Sequence, residues 1–105
     1  MFQLRIYTLR SADALDTYAA IHWARHIGSL EAFGVETRGI WTSRDGGENR
    51  LFALVSYENG AEPASVETEY MAGSAFAEDM AGFDPHDIVS VTSVLLDATE
   101  SSPIR

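Results

Sequence analysis

The 105-residue sequence contains no cysteine. This absence excludes disulfides, a thiolate nucleophile and zinc–sulfur sites, and it fits a reducing compartment. Basic residues are also scarce, since 7 of them stand against 16 acidic residues and give a formal net charge of −9. They are scattered along the chain rather than clustered, so binding to a phosphate backbone or to an anionic membrane surface is not expected. We therefore expect neither nucleic acid nor a membrane as a partner.

Long apolar runs are missing as well. The first residues alternate in hydrophobicity instead of forming a basic segment followed by an apolar one, and no run is long enough to cross a bilayer. Phosphate-binding glycine motifs and a GxSxG motif are absent, which disfavours nucleotide binding and serine hydrolysis. We expect a cytoplasmic protein.

Apolar residues make up 46% of the chain, enough for a core in one domain of this length. We expect residues 1–97 to form this single domain. Residues 98–105 are small and polar, which is typical of a flexible C-terminal tail.

Hydrophobic periodicity predicts four strands and two helices. Ser11 is placed to cap a helix that Gly34 would end, so this helix is expected over residues 12–33. Pro63 suits the first turn of a second helix that ends before Gly82. Alternation typical of strands occurs in residues 2–9, 35–44, 51–57 and 88–96.

The order β-α-β-β-α-β predicts an α+β, ferredoxin-like fold, in which a four-stranded antiparallel sheet carries both helices on one face. A glycine-rich turn at residues 45–47 indicates a hairpin between the second and third strands. Bulky residues occupy both faces of the strands, for example Leu51 and Val55 against Phe52 and Leu54. A sheet covered on one side only would alternate more cleanly. We therefore expect a homodimer formed by sheet-to-sheet packing.

Two of the three histidines, His22 and His26, lie four residues apart in the first predicted helix. At about 100° per residue, both fall on the line that joins Leu15 to Phe33, at the centre of the apolar stripe. This line points into the space between helix and sheet. Each buried imidazole needs polar partners there, which favours a functional role for at least one of them over packing alone.

The same spacing would also suit a metal, because histidines at i and i+4 can share one ion and His86 beside Asp87 could complete the set. No HExxH-type motif accompanies them, so we expect no metal, and haem ligation is a weaker alternative. Imidazole can take or give a proton near neutral pH. His22 and His26 are therefore the candidate catalytic residues.

Aromatic side chains could line a pocket and orient a carbonyl or a phenol, although ordinary core packing is the alternative for each of them. Arg5 and Arg38 lie in predicted strands and are expected to form salt bridges at the surface or at a dimer interface. For His86, a solvated turn capped by an aspartate is the alternative to ligand binding. The candidate substrate-binding residues are Tyr7, Tyr18, Trp23, Trp41, Tyr57, Tyr70, Phe76 and His86.

Several segments together resemble the NIPSNAP family. They are residues 4–9 ("LRIYTL"), the helix that carries both histidines, residues 33–35 ("FGV") and residues 39–43 ("GIWTS"). They match the "LRTYTL" and "GxWT" patterns of the family in order and spacing. The resemblance extends over about residues 2–96.

The resemblance implies a dimeric α+β barrel, with ligands held in each subunit between sheet and helices. Relatives with this architecture include cofactor-free oxygenases, lactone isomerases, polyketide cyclases and haem-binding enzymes. The usual "DPEW" element is absent, and residues 82–87 ("GFDPHD") stand in its place. The rim of the cleft is therefore expected to differ from that of other members.

The leading hypothesis is a small-molecule enzyme without a cofactor. Acid/base catalysis by histidine would cyclise or isomerise an aromatic or polyketide-like substrate. Two alternatives stay open, a cofactor-independent monooxygenase of the same fold and a non-catalytic ligand-binding or interaction domain.

Overall fold

A computed structural model describes all residues from 1 to 105. Four antiparallel strands lie close to the predicted segments. Their bounds are Phe2–Leu9 for β1, Val35–Ser43 for β2, Asn49–Tyr57 for β3 and Ile88–Leu96 for β4. They form one sheet in the order β2-β3-β1-β4, and the ferredoxin-like α+β fold is confirmed.

The core lies between the helices and one face of the sheet. On this face Tyr7 of β1 stands opposite Leu51 of β3, and Arg5 stands opposite Ala53. Leu51 and Ala53 are fully buried, and Arg5 is buried with them. The central strand β1 therefore brings a charged side chain into the interior, between the buried side chains of Gln3 and Tyr7 on the same face.

The first helix, α1, begins after Ser11, whose hydroxyl accepts a hydrogen bond from the Ala14 N–H at 3.1 Å. It comprises an α-helical segment, a π-helical turn and a second α-helical segment. These segments are Ala12–Thr17, Tyr18–His22 and Trp23–Glu31. The predicted helix is confirmed, but the π turn within it was not foreseen.

The π turn changes which side chains α1 buries. Its extra residue rotates the following residues about the helix axis relative to a continuous α-helix. Trp23, which a continuous α-helix would place at the flank of the apolar stripe, is only 1% exposed. Tyr18 and His22, at the two ends of the turn, are both buried. The helix can therefore bury Tyr18, His22, Trp23 and His26 against the same core.

The second predicted helix is divided, and the expectation of a continuous helix was wrong. α2 spans Pro63–Ala72 and α3 spans Ser74–Asp79. Gly73 between them is extended, with φ −91° and ψ 166°, so it ends one helix and begins the next. Glycine stabilises a helix interior poorly, which makes this the weakest point of the segment.

The opposite face of the sheet has no helix over it. It carries partly exposed apolar side chains from all four strands, and Trp41 is 54% exposed there. The indole lies over Gly39, where a Cβ atom would come within 2.4 Å of the ring. Near one end of this open face, Ile104 of the C-terminal segment borders a groove with Phe2. The apolar members from the strands are Leu4, Ile6, Trp41, Phe52, Leu54, Val94 and Leu96.

Substitutions on α1 test the face that the π turn selects. Leu30 is 1% exposed and Ile27, one turn earlier, is 36% exposed. We expect Leu30→Ala to lower the free energy of unfolding by about 2–5 kcal/mol, because it leaves a cavity in the core. The matched change Ile27→Ala is expected to cost about 1 kcal/mol or less. Urea unfolding followed by circular dichroism measures both, and equal losses would contradict this orientation of the helix.

Candidate active site

A cavity of about 280 Å³ lies between α1, α2, α3 and the sheet. Most of the residues that line it are apolar, so charges inside it are poorly screened by water. Met71 and Val91 belong to its wall and are each about half exposed, which places the opening between α2 and β4. The polar groups of the lining come from Arg5, Tyr7, Tyr18, His26, Glu67 and Tyr70.

His26, Tyr70 and Asp79 form a hydrogen-bonded chain at this cavity. The Tyr70 hydroxyl donates to Oδ2 of Asp79 and accepts from Nδ1 of His26. The same Oδ2 lies 3.4 Å from His26 Nδ1. All three residues are buried, and each comes from a different helix. The break at Gly73 allows Tyr70 of α2 and Asp79 of α3 to approach each other.

Burial determines the charge on each member of this chain. Desolvation lowers the pKa of His26 to about 4 and outweighs the opposing effect of Asp79. Burial, followed by the hydrogen bond to Asp79, raises the pKa of Tyr70. Desolvation opposes ionisation of Asp79, but hydrogen bonds led by that from Tyr70 lower its pKa on balance. At neutral pH the chain therefore consists of a neutral imidazole, a neutral phenol and a carboxylate.

The direction of these hydrogen bonds fixes the tautomer of His26. Because Tyr70 donates its only proton to Asp79, Nδ1 of His26 must be the protonated nitrogen. Nε2 then carries a lone pair and takes no part in the hydrogen bonds among His26, Tyr70 and Asp79. His26 also lines the cavity, with Phe76 stacked on its ring at a centroid distance of 6.0 Å. The arrangement can therefore present a base to a bound molecule.

His22, the other candidate catalytic residue, has a different place. It is 2% exposed, its Nδ1 donates to the backbone carbonyl of Asp79 at 2.8 Å, and it does not line the cavity. The Arg25 guanidinium reaches the same carbonyl at 3.3 Å. His22 thus contacts the backbone of the residue whose carboxylate orients His26. Its position suits support of α3 rather than contact with a ligand.

Arg5 is buried and does not form the surface or interface salt bridge that was expected, so that expectation was wrong. Its Nε donates to Oε1 of Gln3 at 2.8 Å, and its Nη2 donates to the Tyr57 hydroxyl at 2.8 Å. The Tyr57 hydroxyl donates in turn to Gln3 Oε1 at 2.9 Å. Arg38, by contrast, lies 3.9 Å from Glu36 in an exposed pair.

Tyr7, Tyr18 and Trp23 form the aromatic wall between Arg5 and His26. The Tyr7 ring is 5.3 Å from Tyr18 and 6.0 Å from Trp23, measured between centroids. Burial raises the pKa of both tyrosines, so their hydroxyls stay protonated and can donate hydrogen bonds. Trp23 Nε1 is buried and has no acceptor.

The structure brings only part of the predicted set to the cavity. Tyr7, Tyr18, Trp23, His26, Tyr70 and Phe76 line it. Tyr57 lies behind Arg5, and Trp41 lies on the open face of the sheet. His86 is exposed in a turn where Asp84 accepts a hydrogen bond from its backbone N–H at 2.9 Å.

Asp79, Gln3 and the inward position of Arg5 were not identified from the sequence. Asp79 occurs in an ordinary helical Glu-Asp pair, and nothing local distinguishes it from its exposed neighbour Glu78. For Arg5 the local pattern pointed the other way, because Gln3, Arg5 and Tyr7 share one face of a strand whose other face is entirely apolar up to Ile6 and would be expected to face the core. No group of three or more His, Asp or Glu side chains is placed to hold a metal ion.

Comparison with known proteins assigns the family. The NIPSNAP family model matches residues 2–103. This chain belongs to the NIPSNAP family. No curated protein matches it. No helix of this NIPSNAP protein is long and apolar enough to cross a membrane.

Three solved structures illustrate the NIPSNAP fold. A family member of unknown function from Agrobacterium tumefaciens has a TM-score of 0.79 at 16% identity, with 99% of this chain and 92% of that chain covered. An uncharacterised NIPSNAP domain protein from Burkholderia xenovorans has a TM-score of 0.71 at 19% identity, covering 97% of each chain. A NIPSNAP-like domain protein from the same organism has a TM-score of 0.77 at 20% identity, covering 97% of this chain and 87% of that chain. At such identities the likeness concerns the fold alone.

The depressed pKa of His26 predicts a pH dependence of stability. The unfolded chain takes up a proton at this residue below about pH 6.5, whereas the folded chain resists it down to about pH 4. The free energy of unfolding is therefore highest above about pH 6.5. It decreases by up to about 3 kcal/mol as the pH falls to 4, because protonation of His26 then favours the unfolded chain. Urea unfolding between pH 7 and 4 measures it.

The matched variants are His26→Gln and His86→Gln. We expect His26→Gln to flatten this part of the stability profile and His86→Gln, at an exposed site, to leave the wild-type slope. Identical slopes for wild type and His26→Gln would show that His26 is not held neutral.

Proposed function

We propose that the protein is a small-molecule enzyme that moves a proton on a substrate bound in the cavity, with His26 as the general base. The observation that carries the proposal is the buried chain from Asp79 through Tyr70 to His26, which leaves Nε2 as an unprotonated nitrogen. A base that remains neutral through the physiological range can accept a proton without first losing one.

The reaction would begin at an acidic C–H beside a substrate carbonyl. Nε2 of His26 takes the proton, and the C–H electron pair moves into the carbonyl, which becomes an enolate oxygen. Protonated tyrosine hydroxyls in the wall, at Tyr7 and Tyr18, are available to donate to that oxygen. Return of the proton to another carbon isomerises the substrate, and attack of the enolate carbon on a second carbonyl cyclises it.

The carboxylate of Asp79 and the hydroxyl of Tyr70 would act on His26 rather than on the substrate. As His26 becomes an imidazolium, the negative charge 3.4 Å from Nδ1 stabilises it. His22 would hold the Asp79 backbone in place through its 2.8 Å hydrogen bond. Asp79 and His22 are thus proposed as positioning residues.

The aromatic wall favours a planar, conjugated substrate. Its three side chains, Tyr7, Tyr18 and Trp23, line the cavity together with Phe76. An aromatic or polyketide-like skeleton would fit these surfaces and would acidify the C–H bonds next to its carbonyls.

A cofactor-independent monooxygenase stays the second candidate, because the same base could deprotonate a phenol and make it reactive toward oxygen. The monooxygenase would need O₂, whereas the proposed proton transfer would not. A non-catalytic binding domain would use the cavity without the base.

Hydrogen–deuterium exchange of 2-tetralone in D₂O tests the proposed proton transfer. We expect the wild-type protein to accelerate exchange of the protons next to the carbonyl, as followed by NMR, and to do so without O₂. Loss of an acid/base group typically slows such a step about 10²–10⁴-fold, so His26→Gln is expected to reduce the enzymatic rate by at least that lower factor. The rate should stay constant from pH 8 to about pH 5, because His26 is protonated only near pH 4.

The control is His86→Gln, which should exchange 2-tetralone like the wild type. Exchange that is equally fast in His26→Gln would refute the role of His26. Oxygen uptake with anthrone, lost in His26→Gln and absent for 2-tetralone, would favour the monooxygenase. If the folded wild-type protein catalyses neither 2-tetralone exchange nor oxygen uptake, the non-catalytic binding domain is favoured.

We also propose that the protein forms a homodimer through the open faces of two sheets. The support is the apolar character of that face, where Leu4, Ile6, Phe52 and Leu54 stand on the two central strands with no helix above them. Exposed apolar patches of this kind mark interaction surfaces, and two such sheets would pack about 10 Å apart.

The substitution Ile6→Glu tests the interface. Sheet packing would bury the new carboxylate without a partner, so we expect the protein to change from a dimer to a monomer of 11.5 kDa in sedimentation velocity. The control Ala20→Glu, on the outer surface of α1, should stay dimeric. A monomeric wild type, or a dimeric Ile6→Glu variant, would contradict this arrangement.

A further inference from the structure

Arg5 is the one arginine that the fold buries. The basic residues of the chain are seven arginines, and Arg5 alone among them is buried, with 6% of its surface exposed. Arg5 belongs to the lining of the cavity. A positive charge in a largely apolar region is costly unless another charge compensates it. The groups that face Arg5 therefore indicate what the cavity is built to receive.

The partners of Arg5 within the chain are all neutral. They are the amide oxygen of Gln3 and the hydroxyl of Tyr57. The ion pairs of the protein join other residues, so no carboxylate lies within 4.0 Å of this guanidinium. Glu67 lines the same cavity and interacts with Arg5 electrostatically, but it forms no ion pair with it. The guanidinium is thus hydrogen-bonded to neutral groups and has no carboxylate in direct contact.

The unused donors of Arg5 have a defined geometry. Of the five N–H groups, the hydrogen bonds to Gln3 and Tyr57 use one on Nε and one on Nη2. Both N–H groups of Nη1 and one of Nη2 are left. Together Nη1 and Nη2 form a planar edge that matches the two oxygens of a carboxylate. The bonds to Gln3 and Tyr57 hold the guanidinium in one orientation, so this edge is preorganised.

We propose that the natural ligand of the cavity carries a carboxylate group that binds the Nη1–Nη2 edge of Arg5. The remainder of the ligand is apolar and contacts the aromatic wall formed by Tyr7, Tyr18 and Trp23, which joins Arg5 to His26. The buried N–H of Trp23, which has no acceptor in the chain, offers a further donor beside that wall. Reading this ligand as a substrate rests on the proposed function, since an anchored carboxylate would set the carbon skeleton beside His26.

Binding of two matched probes, 2-naphthoate and 2-naphthamide, tests the inference without any turnover. They have nearly the same shape and differ in charge. Isothermal titration calorimetry of the wild-type protein is expected to give at least about tenfold tighter binding of 2-naphthoate, since hydrogen bonds between ionised groups exceed neutral ones by about this factor. Failure of 2-naphthoate to bind, or equal affinities for the two probes, would overturn the proposal.

Variants locate the anion site. Arg5→Met should abolish the preference for 2-naphthoate, and Arg5→Lys, which keeps the charge but loses the planar edge, should retain part of it. The control Arg38→Met, at an exposed position on β2, should behave like the wild type. A full preference in a folded Arg5→Met variant would overturn the assignment. If this variant does not fold, the probe pair on the wild type still decides the proposal.

His26→Gln separates this inference from the proposed catalysis. It should still prefer 2-naphthoate, because the anion site does not use His26. Absence of 2-tetralone exchange in the wild-type protein, with the preference for 2-naphthoate intact, would refute the proposed base and leave the anion site. Exchange of 2-tetralone by a wild-type protein that does not prefer 2-naphthoate would support the base and refute the anion site.

Discussion

The carboxylate of Asp79 is the group on which the arrangement of this protein most depends. It is buried at 6% exposure, where a charge needs polar partners from the protein itself. Removing a partner from such a charge typically costs about 3–5 kcal/mol. The hydroxyl of Tyr70 and the imidazole of His26 satisfy it from two other helices, and His22 and Arg25 contact its backbone carbonyl. The hydrogen bonds that join the three helices at Asp79 are therefore the same ones that orient the candidate base His26.

A second buried charge, that of Arg5, lies at the cavity and is hydrogen-bonded by two neutral partners, Gln3 and Tyr57. A fold that needed only stability would have an apolar residue on this face of β1, since well-packed apolar side chains often replace buried charges without loss. Arg5, the Trp23 N–H without an acceptor and His26 Nε2 lie around one cavity, and they are the observations on which the proposed ligand rests.

The fold was predictable from the sequence because the signals for it are local. Alternation along Phe2–Leu9 and Ile88–Leu96, the hydroxyl of Ser11 and the glycines of the hairpin each act within a few residues. The predicted continuous helix after Pro63 failed for a local reason too, since Gly73 adopts an extended conformation between two short helices. The π turn of α1 had no such signal, as it places one extra residue among ordinary helix formers.

The sequence by itself determined the strands, the first helix and the burial of both histidines in its apolar stripe. Only the tertiary structure decided that His26 faces the cavity while His22 contacts a backbone carbonyl, and that Arg5 points inward. The reason is the distance in sequence between partners. His26 and Tyr70 are 44 residues apart, Arg5 and Tyr57 are 52 apart, and His22 and Asp79 are 57 apart. Hydrophobic periodicity specifies which face of an element is buried, but the polar groups that meet there depend on how the elements pack.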